Sequence, residues 1–500
     1  MASRVRRAVL LSFAGKYSAH LIALGSILVL ARLLTPVEIG VYSVGLALLA
    51  IGTKLRDFGV SNFIIQEPDL TVARLRTAFT VTFVIGWLLG GTVLLGRHWI
   101  AGFFGEPGLA GLMVLLSVSF FVMPFAAVAT AQIRRDMDFG SIYWLEISSA
   151  AAQAVTAITL AAAGFSYYSL GWGSIAGNTT FAALALYLRP RAVPLGFAVS
   201  EFRRIVAFGS RSSAATLITE IGTQAPEFVI ARVMDFATLG FYSRARGLVM
   251  LFHRTVTEAL IPVILPYFSE EIRAVRKTGH TDRSAVSAAY LDTLERLLCL
   301  AWPFLVVLAI LGYPITHILY GSQWDASVPM MRILIVGALF FSLNPLGFLA
   351  LTALGAMHMN MVVTMIAQAI GLCLLAVTAL IGIEAVLAGI SATMALQYLC
   401  YAVALQRLAG VRIIDQAARM GRAMTAAAAA ALAPLAVVLS DLEGFAADEP
   451  INWGGLLLAG IGSAAGWLAI LAVYRSALLD DVMRAAKPIW QSARARLGGG

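Results

Sequence analysis

The chain alternates long apolar runs with short polar segments that carry most of its charged residues. A run of about twenty apolar residues is long enough to cross a hydrocarbon core as an α-helix. A transmembrane β-barrel would instead show short segments of alternating polarity. The pattern therefore predicts an all-α polytopic membrane protein with about 14 transmembrane helices. In chain order their approximate bounds are 9–33, 38–65, 76–97, 108–130, 142–164, 167–188, 205–232, 238–268, 288–312, 328–354, 360–382, 384–407, 420–440 and 453–475.

Two stretches that lie 200 positions apart share one sequence pattern. The first, VLARLLTPVEIGVYS, occupies residues 29–43, and the second, VIARVMDFATLGFYS, occupies residues 229–243. Six of the fifteen positions are identical in both copies: Val29/Val229, Ala31/Ala231, Arg32/Arg232, Gly40/Gly240, Tyr42/Tyr242 and Ser43/Ser243. A weak internal repeat of this kind is typical of transporters that are built from two related halves.

The repeat groups the predicted helices into two lobes of six, with two extra helices after them. Predicted helices 1 and 7 begin on the same side of the membrane, so the lobes are parallel repeats. We expect an N-terminal lobe at 1–195 and a C-terminal lobe at 196–410. Residues 411–500 then hold helices 13 and 14 and a cytoplasmic tail.

Composition and charge place this chain in a membrane. Hydrophobic residues make up 60% of it and charged residues only 13%, and its mean hydropathy is +0.85. Soluble chains carry about 25% charged residues. The net charge of +9 indicates orientation rather than nucleic-acid binding, because the basic residues lie almost wholly in the loops between apolar runs. With the N-terminus inside, 24 Lys and Arg residues fall on the inner side and four on the other. This bias predicts that both termini are cytoplasmic.

Residue patterns for catalysis or metal binding are not visible in the sequence. Cys299, Cys373 and Cys400 lie within apolar runs, and the six histidines are dispersed without the spacing of a zinc site. A nucleophile with a neighbouring base is also not apparent. The sequence therefore predicts no enzyme activity, no metal and no cofactor. The small-residue pairs Gly173/Gly177 and Gly462/Gly466 predict close helix packing instead.

Charged and polar residues within the apolar runs concentrate on predicted helices 1, 2, 7 and 8. A charge near the bilayer centre costs roughly 2.5–3.5 kcal/mol on insertion scales and usually faces a bundle interior or a wet cavity. The predicted substrate-binding cavity is therefore lined by Lys16, His20, Lys54, Arg56, Arg211, Thr216, Glu220, Thr223, Glu227 and Arg254.

Two features of the spacing support this choice of cavity residues. Thr216, Glu220, Thr223 and Glu227 recur at helical steps, so they form one polar stripe on helix 7. Lys54 and the later Arg254 lie 200 positions apart, so a cation recurs in both repeats. Structural roles stay open as alternatives: Arg254 could pair with Glu258, Lys16 could extend to the cytoplasmic interface, and the stripe could join helices.

Two segments resemble a known family. ARLLTPVEIGVYSVG at 31–45 and LRDFGVSNFIIQ at 55–66 resemble the Wzx-like polysaccharide flippases. These are the polysaccharide transporter branch of the multidrug/oligosaccharidyl-lipid/polysaccharide exporter superfamily. The resemblance implies a V-shaped pair of lobes that works by alternating access. The implied cargo is an undecaprenyl-diphosphate-linked oligosaccharide, moved across the bacterial inner membrane for exopolysaccharide or lipopolysaccharide assembly.

The resemblance also implies binding residues and partners. Similar flippases use cations in helices 1, 2 and 8, and the matching positions here are Lys16, Lys54 or Arg56, and Arg254. The implied partners are membrane lipid and the polymerase and glycosyltransferases of the same pathway.

Two other functions stay open at this stage. A cation-coupled drug or small-molecule antiporter of the same superfamily would need an acidic cavity, whereas predicted helix 1 carries no acid. A membrane glycosyltransferase or polymer ligase would normally display a large external loop with catalytic groups. The longest predicted external loops here are about a dozen residues.

Overall fold

The part of the chain described by the computed structural model comprises residues 2–189, 196–257, 264, 268, 283–441 and 452–474. Side chains are described from Tyr17 onward, except at 207–208, 210–215 and 283–286. Every regular element in this part is helical. The α-helices are α1 Ala2–Leu33, α2 Pro36–Asp57, α3 Val60–Gln66, α4 Val72–Phe104, α5 Gly108–Arg135, α6 Phe139–Ala162, α7 Tyr168–Leu188, α8 Phe202–Val233, α9 Phe236–Val249, α10 Arg283–Ile310, α11 Gly312–Tyr320, α12 Ser327–Phe341, α13 Asn344–Ala353, α14 Met357–Thr378, α15 Ile383–Ala409, α16 Ile413–Ser440 and α17 Trp453–Val473.

Ten helical segments in this part of the chain are long and apolar enough to cross a membrane, and Tyr17–Leu33 is a shorter apolar helix. The predicted class of all-α polytopic membrane protein is therefore confirmed. The number of fourteen spans stays a prediction, as does the division into lobes at 195 and 410. Residues 269–282, which separate predicted helices 8 and 9, lie outside the described residues.

Predicted helix 2 is divided in two by its own sequence. Thr35 and Glu38 form a capping box at the start of α2, and Pro36 occupies the first turn. These residues satisfy free backbone N–H groups and preset the helical backbone. The helix ends where Phe58 and Gly59 both adopt left-handed backbone angles, with φ of 35° and 67°. Glycine tolerates such angles, so Gly59 allows α3 to begin in a new direction.

Predicted helices 8 and 10 are also interrupted. Helix 8 is α-helical to Val249 and then forms a π-helical turn at His253–Thr257. Helix 10 is split into α12 and α13 just before Pro345, which lies in the first turn of α13. Proline has no backbone N–H and disfavours a helical residue before it, so a new helix begins there.

The chain forms two compact units, which are described separately. The first comprises Met1–Arg244 and Gln368–Val386. In it α1 packs on α6, α6 on α7, α4 on α5, and α2 on both α5 and α8. A Cβ atom on Gly173 would lie 2.9 Å from the Gln153 carbonyl oxygen, and one on Gly177 would lie 3.2 Å from the Ser149 carbonyl oxygen. The predicted close packing at this glycine pair is therefore confirmed.

The second unit comprises Ala245–Ala367 and Leu387–Gly500. Its α10 packs against α16, and α16 packs against α17. A Cβ atom on Gly466 would lie 2.3 Å from the Ala429 carbonyl oxygen, so the predicted glycine pair on α17 also permits close approach. Leu294, Leu298 and Trp302 of α10 are buried in the apolar core of this unit.

Candidate functional site

The polar stripe predicted on helix 7 lies on α8. Thr216 and Thr223 are exposed, Glu220 is half-buried, and Glu227 is buried with 5% of its surface exposed. The Thr223 hydroxyl donates to the Thr219 carbonyl oxygen at 2.8 Å. An exposed hydroxyl held in this way keeps an acceptor lone pair for a ligand. The stripe therefore runs from an accessible polar surface to a buried carboxylate.

Glu220 has a neighbour on its own helix. The Gln224 side-chain amide donates to Glu220 Oε1 at 2.8 Å. Because the pair lies one turn apart, the helix itself fixes the positions of both groups. The pair presents carboxylate and amide groups together, which is the mixture of acceptors and donors that sugar hydroxyls need.

A residue that sequence reasoning missed lies beside this stripe. Gln368 of α14 belongs to the same compact unit as α8. A Cβ atom on Gly222 would lie 1.7 Å from Gln368 Oε1, so the amide fills the space that this glycine leaves. Gln368 is half-buried. The available signal was an amide within the apolar run of α14, which also carries Asn360 in its first turns.

The backbone at Gly222 is unusual as well. Pro226 lies inside α8, four residues after Gly222. Because proline has no N–H, the Gly222 carbonyl lacks the donor that would complete its helical hydrogen bond. Freed carbonyls in membrane helices are tolerated where a side chain or a wet cavity satisfies them. Gly222 and Gln368 thus place a backbone acceptor and a side-chain amide at one point on the stripe.

The two cations predicted on helix 2 occupy different environments. Lys54 is exposed. Arg56 is only 5% exposed, and its Nη2 donates to Asp57 Oδ1 at 3.0 Å. Its aliphatic part lies against α4, because Arg56 Cδ is 3.6 Å from where a Cβ atom on Gly86 would be. Lys54 is therefore the more accessible of the two for an anionic ligand.

The other predicted residues are placed as follows. His20 is half-buried on α1. Arg254 is exposed in the π-helical turn of the second unit, and its predicted partner Glu258 lies outside the described residues. Lys16 and Arg211 belong to α1 and α8, but their side chains lie outside the described part.

The structure brings some of these elements together. Lys54 lies on α2 and the polar stripe on α8, and these two helices pack against each other within the first unit. His20 lies on α1, which packs on α6. Across the described residues, His, Cys, Asp and Glu form no group of three or more that could hold a metal ion.

The second unit contains an apolar groove of about 320 Å³. Its walls are formed by α10, α11, α16 and α17, and they include Pro303, Phe304, Val307, Gly460, Ala464 and Trp467. Such a surface can bind a hydrocarbon chain, since neither partner must lose hydrogen bonds to water.

Comparison with known proteins gives a family match. The model of the family described as "Polysaccharide biosynthesis protein" matches residues 29–329, which is more than half of the chain. The chain is 23% identical to the lipopolysaccharide biosynthesis protein WzxC of Escherichia coli over 331 residues, covering 64% of each chain. It is 25% identical to the succinoglycan biosynthesis transport protein ExoT of Rhizobium meliloti over 310 residues, covering 61% of this chain and 60% of that relative. The chain thus spans less than two thirds of either relative's length.

Solved structures show the same fold. The inward closed conformation of the lipid II flippase MurJ matches with a TM-score of 0.75 at 14% identity, covering 93% of this chain and 98% of that one. An inward-facing multidrug resistance MATE family transporter matches with a TM-score of 0.63 at 13% identity, covering 81% and 98%. The chain is therefore a multi-pass membrane protein with the transporter fold that these proteins share.

Proposed function

Since this chain belongs to the polysaccharide biosynthesis protein family, as the resemblance of its sequence predicted, we propose that it is a flippase for a lipid-linked oligosaccharide. The cargo is a saccharide repeat unit on undecaprenyl diphosphate. It moves from the cytoplasmic to the outer leaflet of the bacterial inner membrane by alternating access. The observation that carries the proposal is the accessible polar stripe of α8 on a helix that packs against the one bearing Lys54.

The chemistry of the cargo fits these groups. A diphosphate is bound most strongly by charge-assisted hydrogen bonds from Lys or Arg. Lys54 is exposed on α2 and is proposed to take this role, and Lys16, Arg211 and Arg254 are proposed to join it. The saccharide would contact Thr216, Glu220, Thr223 and Gln368, whose side chains offer both donors and acceptors. Arg56 has a structural role instead, because it is buried beside Asp57.

The lipid part needs an apolar surface. The groove beside Pro303, Phe304 and Trp467 offers one within the second unit. The isoprenoid tail can also stay among the membrane lipids, so the protein has to shield only the diphosphate and the sugars. Moving those polar groups across hydrocarbon unaided would cost several kcal/mol for each unsatisfied group.

The proposal includes no chemical step on the cargo. The relatives and structural neighbours are named for transport or biosynthesis, and two of them are described as a flippase and a transporter. We therefore propose a non-enzymatic carrier. The bias of Lys and Arg between the two sides supports the proposal that both termini are cytoplasmic. The glycosyltransferases that supply the cargo and the polymerase that consumes it would belong to the same pathway.

Deleting the gene in its own host tests this function. We expect the deletion strain to lose surface polysaccharide and to accumulate a lipid-linked saccharide on the cytoplasmic leaflet, with both defects reversed by a plasmid copy. Accumulation is measured by extracting lipids and by periplasmic labelling of the saccharide. If the deletion strain assembles no lipid-linked saccharide at all, the protein acts in synthesis and the flippase proposal is wrong.

A further inference from the structure

The two copies of the internal repeat contact each other directly. A Cβ atom on Gly40 would lie 1.8 Å from the carbonyl oxygen of Phe236, and one on Gly240 would lie 2.0 Å from that of Pro36. Both distances are far below any contact that a real side chain makes. Only glycine therefore allows α2 and α9 to approach so closely, and each glycine lies against the first residue of the other helix.

This contact is reciprocal. Ser43 Oγ donates to Ser243 Oγ at 3.2 Å, so one repeat position pairs with its own equivalent. Because position 40 touches 236 and position 240 touches 36, exchanging the copies reproduces the same contacts. A pseudo-two-fold axis therefore passes between the two serines. We call this contact the glycine interlock, formed by Pro36, Gly40 and Ser43 with Phe236, Gly240 and Ser243.

The interlock explains part of the sequence repeat. Gly40/Gly240 and Ser43/Ser243 are identical in the two copies, and they are the positions at which the copies meet. Identity at Gly40 and Gly240 follows from the geometry, because at each of these two equivalent positions a Cβ atom would collide with the backbone of the other helix. Tyr42 has a different task, since its hydroxyl lies 3.1 Å from Ser174 Oγ within the first unit.

The chemistry of the interlock suits a seal that opens and closes. It consists of backbone contacts and one hydroxyl pair between neutral residues, so separating the helices would expose no unpaired charge. Backbone contact also leaves no room for water or a polar solute between the helices. The predicted orientation places both helix starts, Pro36 and Phe236, at the outer side of the membrane.

We infer that the glycine interlock is the outer closure of the transport path and separates once in every cycle. This inference rests on the proposed flippase function. At the other end of α8, a different contact joins the repeats: Arg204 donates to the carboxylate of Glu67, which follows α3. The described structure thus holds the two repeats together at both ends of α8, and release of cargo outward requires the interlock to part.

Crosslinking at the axis tests the inference. In a background with Cys299, Cys373 and Cys400 replaced by Ala, Ser43→Cys and Ser243→Cys are combined. A short, membrane-permeant bis-methanethiosulfonate should join the two thiols and stop export of the polysaccharide, and a reducing agent should restore it. Joining is verified by mass spectrometry of the purified protein.

A matched control comes from a helix pair inside one lobe. Asn178 Nδ2 donates to Ser119 Oγ at 2.7 Å, between α7 and α5. Crosslinking Ser119→Cys to Asn178→Cys should leave export unchanged, because these helices move together. If the joined Ser43/Ser243 pair exports normally while the uncrosslinked background complements the deletion strain, the inference is wrong. If a plasmid copy of the unsubstituted protein never restores export to the deletion strain, the proposed function fails instead.

Substituting the interlock glycines tests the same inference without a crosslinking reagent. Gly40→Ala and Gly240→Ala should each hold the outer end open, lowering export and raising thiol labelling at Ser43→Cys. Gly247→Ala on α9 is the control, because a Cβ atom there would meet open space. Normal export together with unchanged labelling in both interlock variants would overturn the inference.

Discussion

Both carboxylate oxygens of Glu67 accept hydrogen bonds from Arg204 Nη2, at 3.0 and 2.9 Å. Arg74 donates to the same carboxylate at 3.1 Å, and Glu67 is only 8% exposed. A nearby guanidinium, that of Arg135, donates to the Ile64 carbonyl oxygen at 2.7 Å and so holds the end of α3. Arg204 is half-exposed and lies in the first turn of α8. If Arg204 moves away, the buried carboxylate of Glu67 therefore stays paired with Arg74, which belongs to the same repeat.

We predict that Arg204→Gln impairs export more than folding. Glu67 keeps its pair with Arg74, so stability should fall by no more than about 1 kcal/mol, which is typical of a partly exposed ion pair. Losing the inner contact should shift the balance between the inward-open and closed states and reduce export severalfold. Thermal unfolding of the purified protein and export in the deletion strain measure the two effects separately.

The neighbouring Arg203 provides the control. It is exposed and next to Arg204 on α8, so Arg203→Gln changes the same net charge without touching Glu67. Equal export defects in the two variants would show that charge at the membrane surface matters and that the pair with Glu67 does not. Glu67→Gln should instead lower stability by about 1–3 kcal/mol, because Arg74 then faces a neutral group.

We predict that the two cations of α2 have different roles, Lys54 in export and Arg56 in stability. Lys54→Ala should abolish export at normal protein abundance, because the exposed ammonium is proposed to bind diphosphate. Lys54→Arg should keep part of the activity, since either side chain meets a phosphate oxygen, although with different geometry. Arg56→Ala should instead lower stability by about 1–3 kcal/mol, because it removes a buried side chain paired with Asp57.

Membrane abundance and export, measured in parallel, distinguish these outcomes. A Lys54→Ala protein that exports normally would remove α2 from the proposed diphosphate site. The combination of Lys16→Ala with Arg254→Ala extends the assay to the other predicted cations, and export should be lost there too. Normal export by that double variant would show that those two cations have structural roles.

We predict that Gly222 and Gln368 act as one unit. Gln368→Leu removes the amide, and Gly222→Ala displaces it, because the added Cβ atom would lie 1.7 Å from Gln368 Oε1. Each change should reduce export, and the double variant should be no worse than the stronger single one, since contacting residues are not additive. Gly91→Ala is the control because a Cβ atom there meets open space. If the export defects of the two single variants add up fully in the double variant, Gly222 and Gln368 act independently and the prediction is wrong.

The parts of the fold that were predicted correctly are those with a strong local pattern in the sequence. The apolar runs predicted the helices of the fold, and the small-residue pairs Gly173/Gly177 and Gly462/Gly466 predicted close packing that the structure shows. Gly59 was a local signal for the break in predicted helix 2. The break was nevertheless missed, because the apolar pattern continues on both sides of this glycine. The capping box of α2 was likewise readable from Thr35 and Glu38.

Features that depend on packing between distant segments could not be predicted. Lys54 and Arg56 are two residues apart and so point to different sides of a helix, but only packing against α4 decides which one is covered. Gln368 and Gly222 lie far apart in sequence, and an amide in an apolar helix does not indicate its partner. The repeat identified Gly40 and Gly240 as equivalent, whereas their contact with Phe236 and Pro36 depends on how closely α2 and α9 pack.

The last prediction concerns the two helices beyond the repeat, α16 and α17. Glu295 of α10 is largely buried and pairs with Arg419 of α16, and Trp467 Nε1 of α17 donates to the Cys299 carbonyl oxygen at 2.7 Å. Glu295→Ala should destabilise the protein by about 1–3 kcal/mol, because the half-buried guanidinium of Arg419 then lacks this partner. Trp467→Phe loses one hydrogen bond and should cost about 0.5–1.5 kcal/mol. Trp453→Phe changes an exposed ring and should leave the unfolding temperature unaltered. If all three variants unfold at the same temperature as the unsubstituted protein, these contacts do not hold α16 and α17 against α10.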